Sequence, residues 1–188
     1  MATTDTASIE EKLTAAARAD RLTRAQSLTK NYMLAAAGLG LIPIPLVDLG
    51  GLMALQIKLV HSLANHYQLP FKENVVKSLV TSLVSGATSV VGVMGLASLA
   101  KTVPILGTLG GGGGVAVTAA AVTYAVGEVF IRHFESGGTL LDFDPHKMKA
   151  LFKRELKNGK VAATESANPQ DEVATTEAGT PQNTVPAA

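Results

Sequence analysis

Between Ser78 and Gly127 the chain carries one charged side chain, Lys101. The stretch Ser78–Ala100 holds no Asp, Glu, Lys, Arg or His, and neither does Thr102–Gly127. At about 1.5 Å rise per residue, each run as a helix would cross a hydrocarbon core of about 30 Å. A soluble domain of 188 residues rarely hides two such segments. The pattern predicts an all-α, membrane-associated helical bundle built on a hydrophobic hairpin. The alternative is a soluble helical bundle that buries both runs around a core or a lipid cavity.

Composition narrows the function classes. Charged residues make up 16% of the chain, against about 25% in ordinary soluble domains. Aromatics are 4%, Trp is absent and the net charge is +1, so nucleic acid is not an expected partner. The absence of Cys excludes disulfides, thiolate metal sites and Cys nucleophiles. The first residues, MATTDTASIEEKL, lack the basic-then-apolar layout of a secretory signal, so no cleaved leader is expected.

Four segments follow from the order of residues. Residues 1–26 read as a polar helical arm, with Ser8 and Glu11 in capping-box spacing and Arg18, Arg21 and Arg24 leading toward the membrane. Residues 27–144 form the hydrophobic helical domain. Its first part, 27–45, reads as a short interfacial or re-entrant helix that ends in an elbow at Ile42-Pro43-Ile44-Pro45, where neither proline can continue a helix. Residues 46–67 follow with an apolar stripe through Leu46, Leu49, Met53, Ile57, Val60, Ala64 and Tyr67. Residues 145–160 read as a basic amphipathic helix, and 161–188 have the composition of a disordered tail.

Within the hairpin, small residues at Ser82, Ser85, Gly86 and Ser89 recur at spacings that let helices approach closely in a membrane, which makes them candidates for self-association. Lys101 and Pro104 mark the turn between the two runs. Gly110–Gly114 is either a flexible loop or a very close helix crossing, because five glycines each cost about 0.8–1.0 kcal/mol in a helix. This run is no phosphate cradle, since no Lys-Ser/Thr pair follows it.

The polar candidates are few. Asp48 follows the elbow and suits N-terminal capping of the next helix; the other reading is a partner-docking or polar intramembrane site, together with Lys58 or Gln56. Glu128 and Arg132 are four apart and expected to pair on one helix face. His61 and His66 are separated by roughly 140° around a helix, so they do not share a metal. His133 and His146 have no acidic partner at ligand spacing. Lys147, Lys149, Lys153, Arg154 and Lys157 are candidates for contact with anionic headgroups, or form a solvated face. No acid–base or nucleophile set appears, and neither an enzyme nor a cofactor is expected. Lys and Arg on both flanks of the hydrophobic centre place both termini in the cytoplasm.

One ordered set of motifs resembles a known family. Ile42-Pro43-Ile44-Pro45, Asp48, Gln56, Lys101-x-x-Pro104-x-x-Gly107, Thr123-x-x-x-Gly127 and Phe134-Glu135-x-Gly137-Gly138 are similar to the YcjF-like bacterial family numbered 697 among domains of unknown function. The resemblance covers about residues 30–140. It implies a helical membrane-associated module found alone or behind Era-like GTPase domains. This chain has no GTPase motif, so any GTPase would be a separate partner. The expected function is a non-enzymatic, self-associating adaptor that gives cytoplasmic partners a bilayer platform at the bacterial inner membrane or another cytoplasm-facing membrane. A channel or transporter component is the third reading.

Overall fold

The computed structural model describes residues 2–41, 45–85 and 112–167, with side chains described for 10–40, 50–85 and 114–166. Among these residues there are five helices and no strand: α1 (Ala2–Leu41), α2 (Pro45–His66), α3 (Glu73–Ser85), α4 (Gly112–Glu135) and α5 (Pro145–Ala167). The all-α reading holds. Residues 27–41 are not a separate interfacial helix. They are the second half of α1, which runs unbroken through residue 26. The reason is a continuous apolar and small-residue stripe at Leu22, Ala25, Thr29, Met33, Ala36 and Gly40, all facing protein.

The stripe packs antiparallel along α4. At one end of the contact, a Cβ on Gly40 would lie 2.7 Å from the Cα of Ala116. Farther along, a Cβ on Gly127 would lie 2.4 Å from Thr29 Cγ2. The two backbones therefore approach closely over about three helical turns, which only Gly, Ala and Thr at the seam permit. On another side of α4, α5 also runs antiparallel and approaches as closely: a Cβ on Gly159 would meet the Ala121 carbonyl at 2.8 Å. α4 is thus the central helix. Gly114–Glu135 is long and apolar enough to cross a membrane, and 78% of its most apolar stretch is buried within the bundle.

α2 turns back along α1, with Gly51 opposite Leu39 and Tyr32 bonded to Ser62 at 2.9 Å. Its buried side chains are Leu52, Gln56, Leu59, Val60, Leu63 and Ala64, while Met53 and Ile57 are only half-buried. The core-facing stripe is therefore rotated by about one position from the one read off the hydropathy pattern. α3 seals the core with Val76, Val80 and Leu83.

A helix end explains one of the family-like motifs. α4 stops at Phe134-Glu135-Ser136-Gly137-Gly138, where Gly137 takes φ 86°. The Gly138 N–H donates to the His133 carbonyl at 3.0 Å and the Gly137 N–H to the Phe134 carbonyl at 2.9 Å. This is a Schellman cap, in which only glycine adopts the left-handed position without cost. Gly138 has a separate reason: a Cβ there would sit 2.4 Å from the His133 ring. α2 ends the same way with Leu69 N–H to Ala64 at 2.8 Å, but its left-handed residue is Gln68, at φ 57°. α5 begins at Pro145, and Asp144 Oδ1 accepts the His146 N–H at 2.9 Å as its cap. α5 continues past residue 160 to Ala167.

Candidate functional site

The N-terminal half of α1 projects beyond the seam, and its residues 10–21 are exposed. Where it passes the C-terminal end of α4, the two helices border an open groove of about 950 Å³. Ala15, Ala19, Leu22 and Ile131 give the groove an apolar floor, and Glu11, Arg18, Gln26, Glu128, Arg132 and Glu135 give it charged or polar walls.

A three-helix clamp closes one end. Arg18 Nε donates to Glu135 Oε2 at 3.0 Å, and Arg21 donates to both carboxylate oxygens through Nε at 3.0 Å and Nη2 at 3.2 Å. Arg21 also lies over the Tyr67 ring, 5.6 Å from its centroid, and His66 Nε2 donates to the Arg21 carbonyl at 2.9 Å. The clamp joins α1, α2 and α4. It also answers an electrostatic conflict, because a carboxylate at a helix C-terminus is opposed by the helix dipole. The Arg21 hydrogen bonds are the largest cause holding the Glu135 carboxyl down to about 2. Burial is the main cause that pushes the Tyr67 phenol up, with the Glu135 carboxylate adding to it.

Glu128 lies in the groove wall, with 6% of its surface exposed. The expected Glu128–Arg132 pair does not form. Arg132 reaches across to α5 instead, where its Nη2 is 3.2 Å from Glu155 Oε1. Glu155 is buried and offers the stronger site, since Arg154 and Asn158 also donate to it, at 3.1 Å and 2.8 Å. Glu128 keeps no hydrogen bond or ion pair among the described residues. Its carboxyl is pushed up, first by burial and then by Glu155, while Arg132 and Lys30 act against this from beyond ion-pair distance.

The other sequence candidates are spread over the molecule. Gln56 is buried in the core-facing side of α2. Pro45 is the first residue of α2 and Asp48 lies in its first turn, though the Asp48 side chain is outside the described set. Ser82 is half-buried and Ser85 exposed on α3. Gly114 is exposed inside α4, where a Cβ would meet nothing within 4 Å. Pro43, Gly86, Ser89, Lys101, Pro104 and Gly110 fall outside the described residues. On α5, Lys153 and Lys157 are exposed, Lys147 sits 3.9 Å from Asp144, Lys149 contacts His146 at 3.4 Å, and Arg154 is engaged with Glu155. Among the described residues no cluster of three or more His, Cys, Asp or Glu could hold a metal ion. Sequence reasoning misses Glu135 and Tyr67 as site residues and reads Arg18 and Arg21 as a lead-in to the membrane. The signal for the clamp was the Glu135 carboxylate just ahead of a glycine cap.

The fold and this groove define a small all-α domain with a central apolar helix and a charged clamp at one end. The chain belongs to the family described as Domain of unknown function (DUF697), whose profile matches residues 4–160. It is 33% identical over 142 residues to Magnetosome membrane protein 22 of Magnetospirillum gryphiswaldense, a match covering 75% of this chain and 73% of that protein. No solved structure matches it.

Proposed function

We propose that the chain is a non-enzymatic, membrane-bound adaptor of a cytoplasm-facing bacterial membrane, offering cytoplasmic partners, such as a separate GTPase, a bilayer platform. The observation that carries this reading is the charge-poor sequence between α3 and α4. Residues 86–111 contain Lys101 as their one charge, and they lead into α4 directly. A relative bearing the name of a membrane protein supports it. The topology is consistent with two working ends. The C-terminus of α1 and the N-terminus of α4 meet at the end where Gly40 touches Ala116. The groove lies at the other end, about 24 Å along α4 as measured from Ala116 to Arg132. Membrane contact at the first end would leave the groove free for partners.

Washing membranes from expressing cells with alkaline carbonate tests the reading. Retention in the pellet until detergent is added is the expected result. A second reading, a soluble bundle with α4 as its core helix, is favoured by the 78% burial of α4, and release by carbonate would establish it. Self-association through Ser82, Ser85, Gly86 and Ser89 belongs to the adaptor proposal. Leucine at Ser82 and Gly86 should abolish crosslinked oligomers, and an unchanged crosslinking pattern would refute that part.

A further inference from the structure

Charge is distributed unevenly along the bundle. Toward the end where Gly40 touches Ala116, α1 has no charge after Lys30, α3 none after Lys77, and α4 none in 112–127. α2 has none between Asp48 and Lys58, and α5 carries Glu165 alone after Lys160. Lys30, Lys58, Lys77, Lys157 and Lys160 are all exposed, and their ammonium groups have no hydrogen-bond or ion-pair partner among the described residues.

Three of these lysines share one level. Lys30 follows Thr29, which meets Gly127 of α4, and Lys157 lies two residues before Gly159, which meets Ala121. Lys58 lies one turn beyond Ser62, which bonds Tyr32, on the way to Gly51 opposite Leu39. Measured along α4, the three fall within about 8 Å, or one and a half turns. Lys77 is their counterpart on α3, which heads back along α2 after a short link. The result is a belt of lysines drawn from the four helices outside α4. Beyond the belt, exposed side chains of α1 and α2 include Leu34, Ala35 and Ala54. On the clamp side exposed acids are common, at Glu10, Glu11, Asp20, Glu73 and Asp142.

We propose that this belt seats the Gly40–Ala116 end of the bundle on the anionic headgroups of a bilayer and leaves the clamp end in water. The proposal rests on the membrane-bound reading and adds to it the lipid class, the contacting residues and the orientation. A rim of unpaired lysines around charge-free ground matches such a surface, because each ammonium meets a headgroup phosphate while its aliphatic stem lies along the apolar flank. The charge-poor sequence 86–111 leads into α4 at this same end. Asp48 and Glu165 set the depth: acids are excluded from the acyl region, so this end of the bundle stops at headgroup level.

The test places the full chain in nanodiscs of phosphatidylcholine, in nanodiscs of phosphatidylcholine with phosphatidylglycerol, and in nonionic detergent. A water-soluble amine-acylating reagent is added, and the labelling rate of each lysine is read by mass spectrometry. With phosphatidylglycerol present, Lys30, Lys58, Lys77 and Lys157 should react about fivefold or more slowly than in detergent, the scale of one basic side chain at an anionic surface. Lys12 and Lys147, exposed on the clamp side, should keep their detergent rates. Phosphatidylcholine alone should give little protection. Belt lysines that react like Lys12 in the anionic discs overturn the proposal, as does equal protection in both lipids. Co-elution of chain and disc reports the membrane-bound reading separately: a co-eluting chain with an unprotected belt refutes the belt alone, whereas a chain that leaves the disc refutes that reading and the belt with it.

Discussion

Gly127→Ala should destabilise the protein even though it improves helix propensity. The added Cβ would lie 2.4 Å from Thr29 Cγ2 and 2.5 Å from Thr29 Oγ1, where carbon contacts favour about 3.5–4.0 Å. Thr29 is fully buried, so neither helix can relieve the clash by turning a side chain into solvent. The propensity gain is about 0.8–1.0 kcal/mol and the overpacking cost about 1–3 kcal/mol. The net expectation is a loss of about 1 kcal/mol. Thr29→Ala removes both clashing atoms and leaves only the Cβ of residue 29, at 3.0 Å. In that background Gly127→Ala should be neutral or stabilising, which gives a coupling of about 1–2 kcal/mol between the two positions. Chemical unfolding of the four proteins, followed by helical circular dichroism in nonionic detergent, measures it. A Gly127→Ala protein more stable than the parent, or the same penalty with and without Thr29, would refute the close-approach argument.

Gly40→Ala should also destabilise, because its Cβ would meet the Ala116 backbone at 2.7 Å; Gly38→Ala, with open space around it, should stabilise by up to about 1 kcal/mol. Comparing the two unfolding midpoints separates packing from propensity. Gln68→Gly should raise stability by about 1 kcal/mol, since it relieves a left-handed non-glycine residue at φ 57° without touching the cap's hydrogen bonds. The clamp predicts a pH dependence. Glu135 is held at about 2 against about 4.5 in the unfolded chain, so its contribution is fully present above about pH 4.5 and is lost as pH falls toward 2. A shift of that size corresponds to about 3 kcal/mol at most, and the exposure of Arg18 and Arg21 cuts it to about 1 kcal/mol. The stability difference between the parent and Glu135→Gln should therefore close between pH 4.5 and 2; a difference that does not change with pH would contradict this.

Helix content and most of the helix ends were legible because they depend on local chemistry. The polar composition of 1–26 matches the exposure of residues 10–21, and Pro145 starts a helix as its fixed φ allows. Long-range choices were not legible. Glu128 and Arg132 have ideal i, i+4 spacing, yet Glu155 wins Arg132 from another helix, and nothing near residue 128 encodes that competition. The sequence pattern places small-residue interhelical contacts within the charge-free run. Among the described residues, the close approaches fall at Gly40, Gly127 and Gly159, outside or at the edge of that run. Gly159, inside the basic helix read over 145–160, is the point where α5 touches α4. A glycine that ends a helix and one that lets another helix in are the same letter. Only the partner's position tells them apart.

The hydrophobic character of α4 has an explanation that requires no lipid. Its flanks are Ala, Gly, Thr and Val because α1 and α5 pack against it at backbone distance, and close packing of small residues stabilises helices in water and in membranes alike. Sequence hydropathy cannot separate these cases, since both place an unbroken apolar helix at the same residues. A helix 78% covered over its most apolar stretch has little surface of its own left for acyl chains, whether the bundle lies in water or in a membrane. The apolar sequence that still calls for a bilayer therefore shrinks from the whole of Ser78–Gly127 to the residues between α3 and α4. If membrane attachment resides there, Gly40→Ala or Gly127→Ala should destabilise the bundle without releasing the chain from the membrane, because packing and anchorage then belong to different segments.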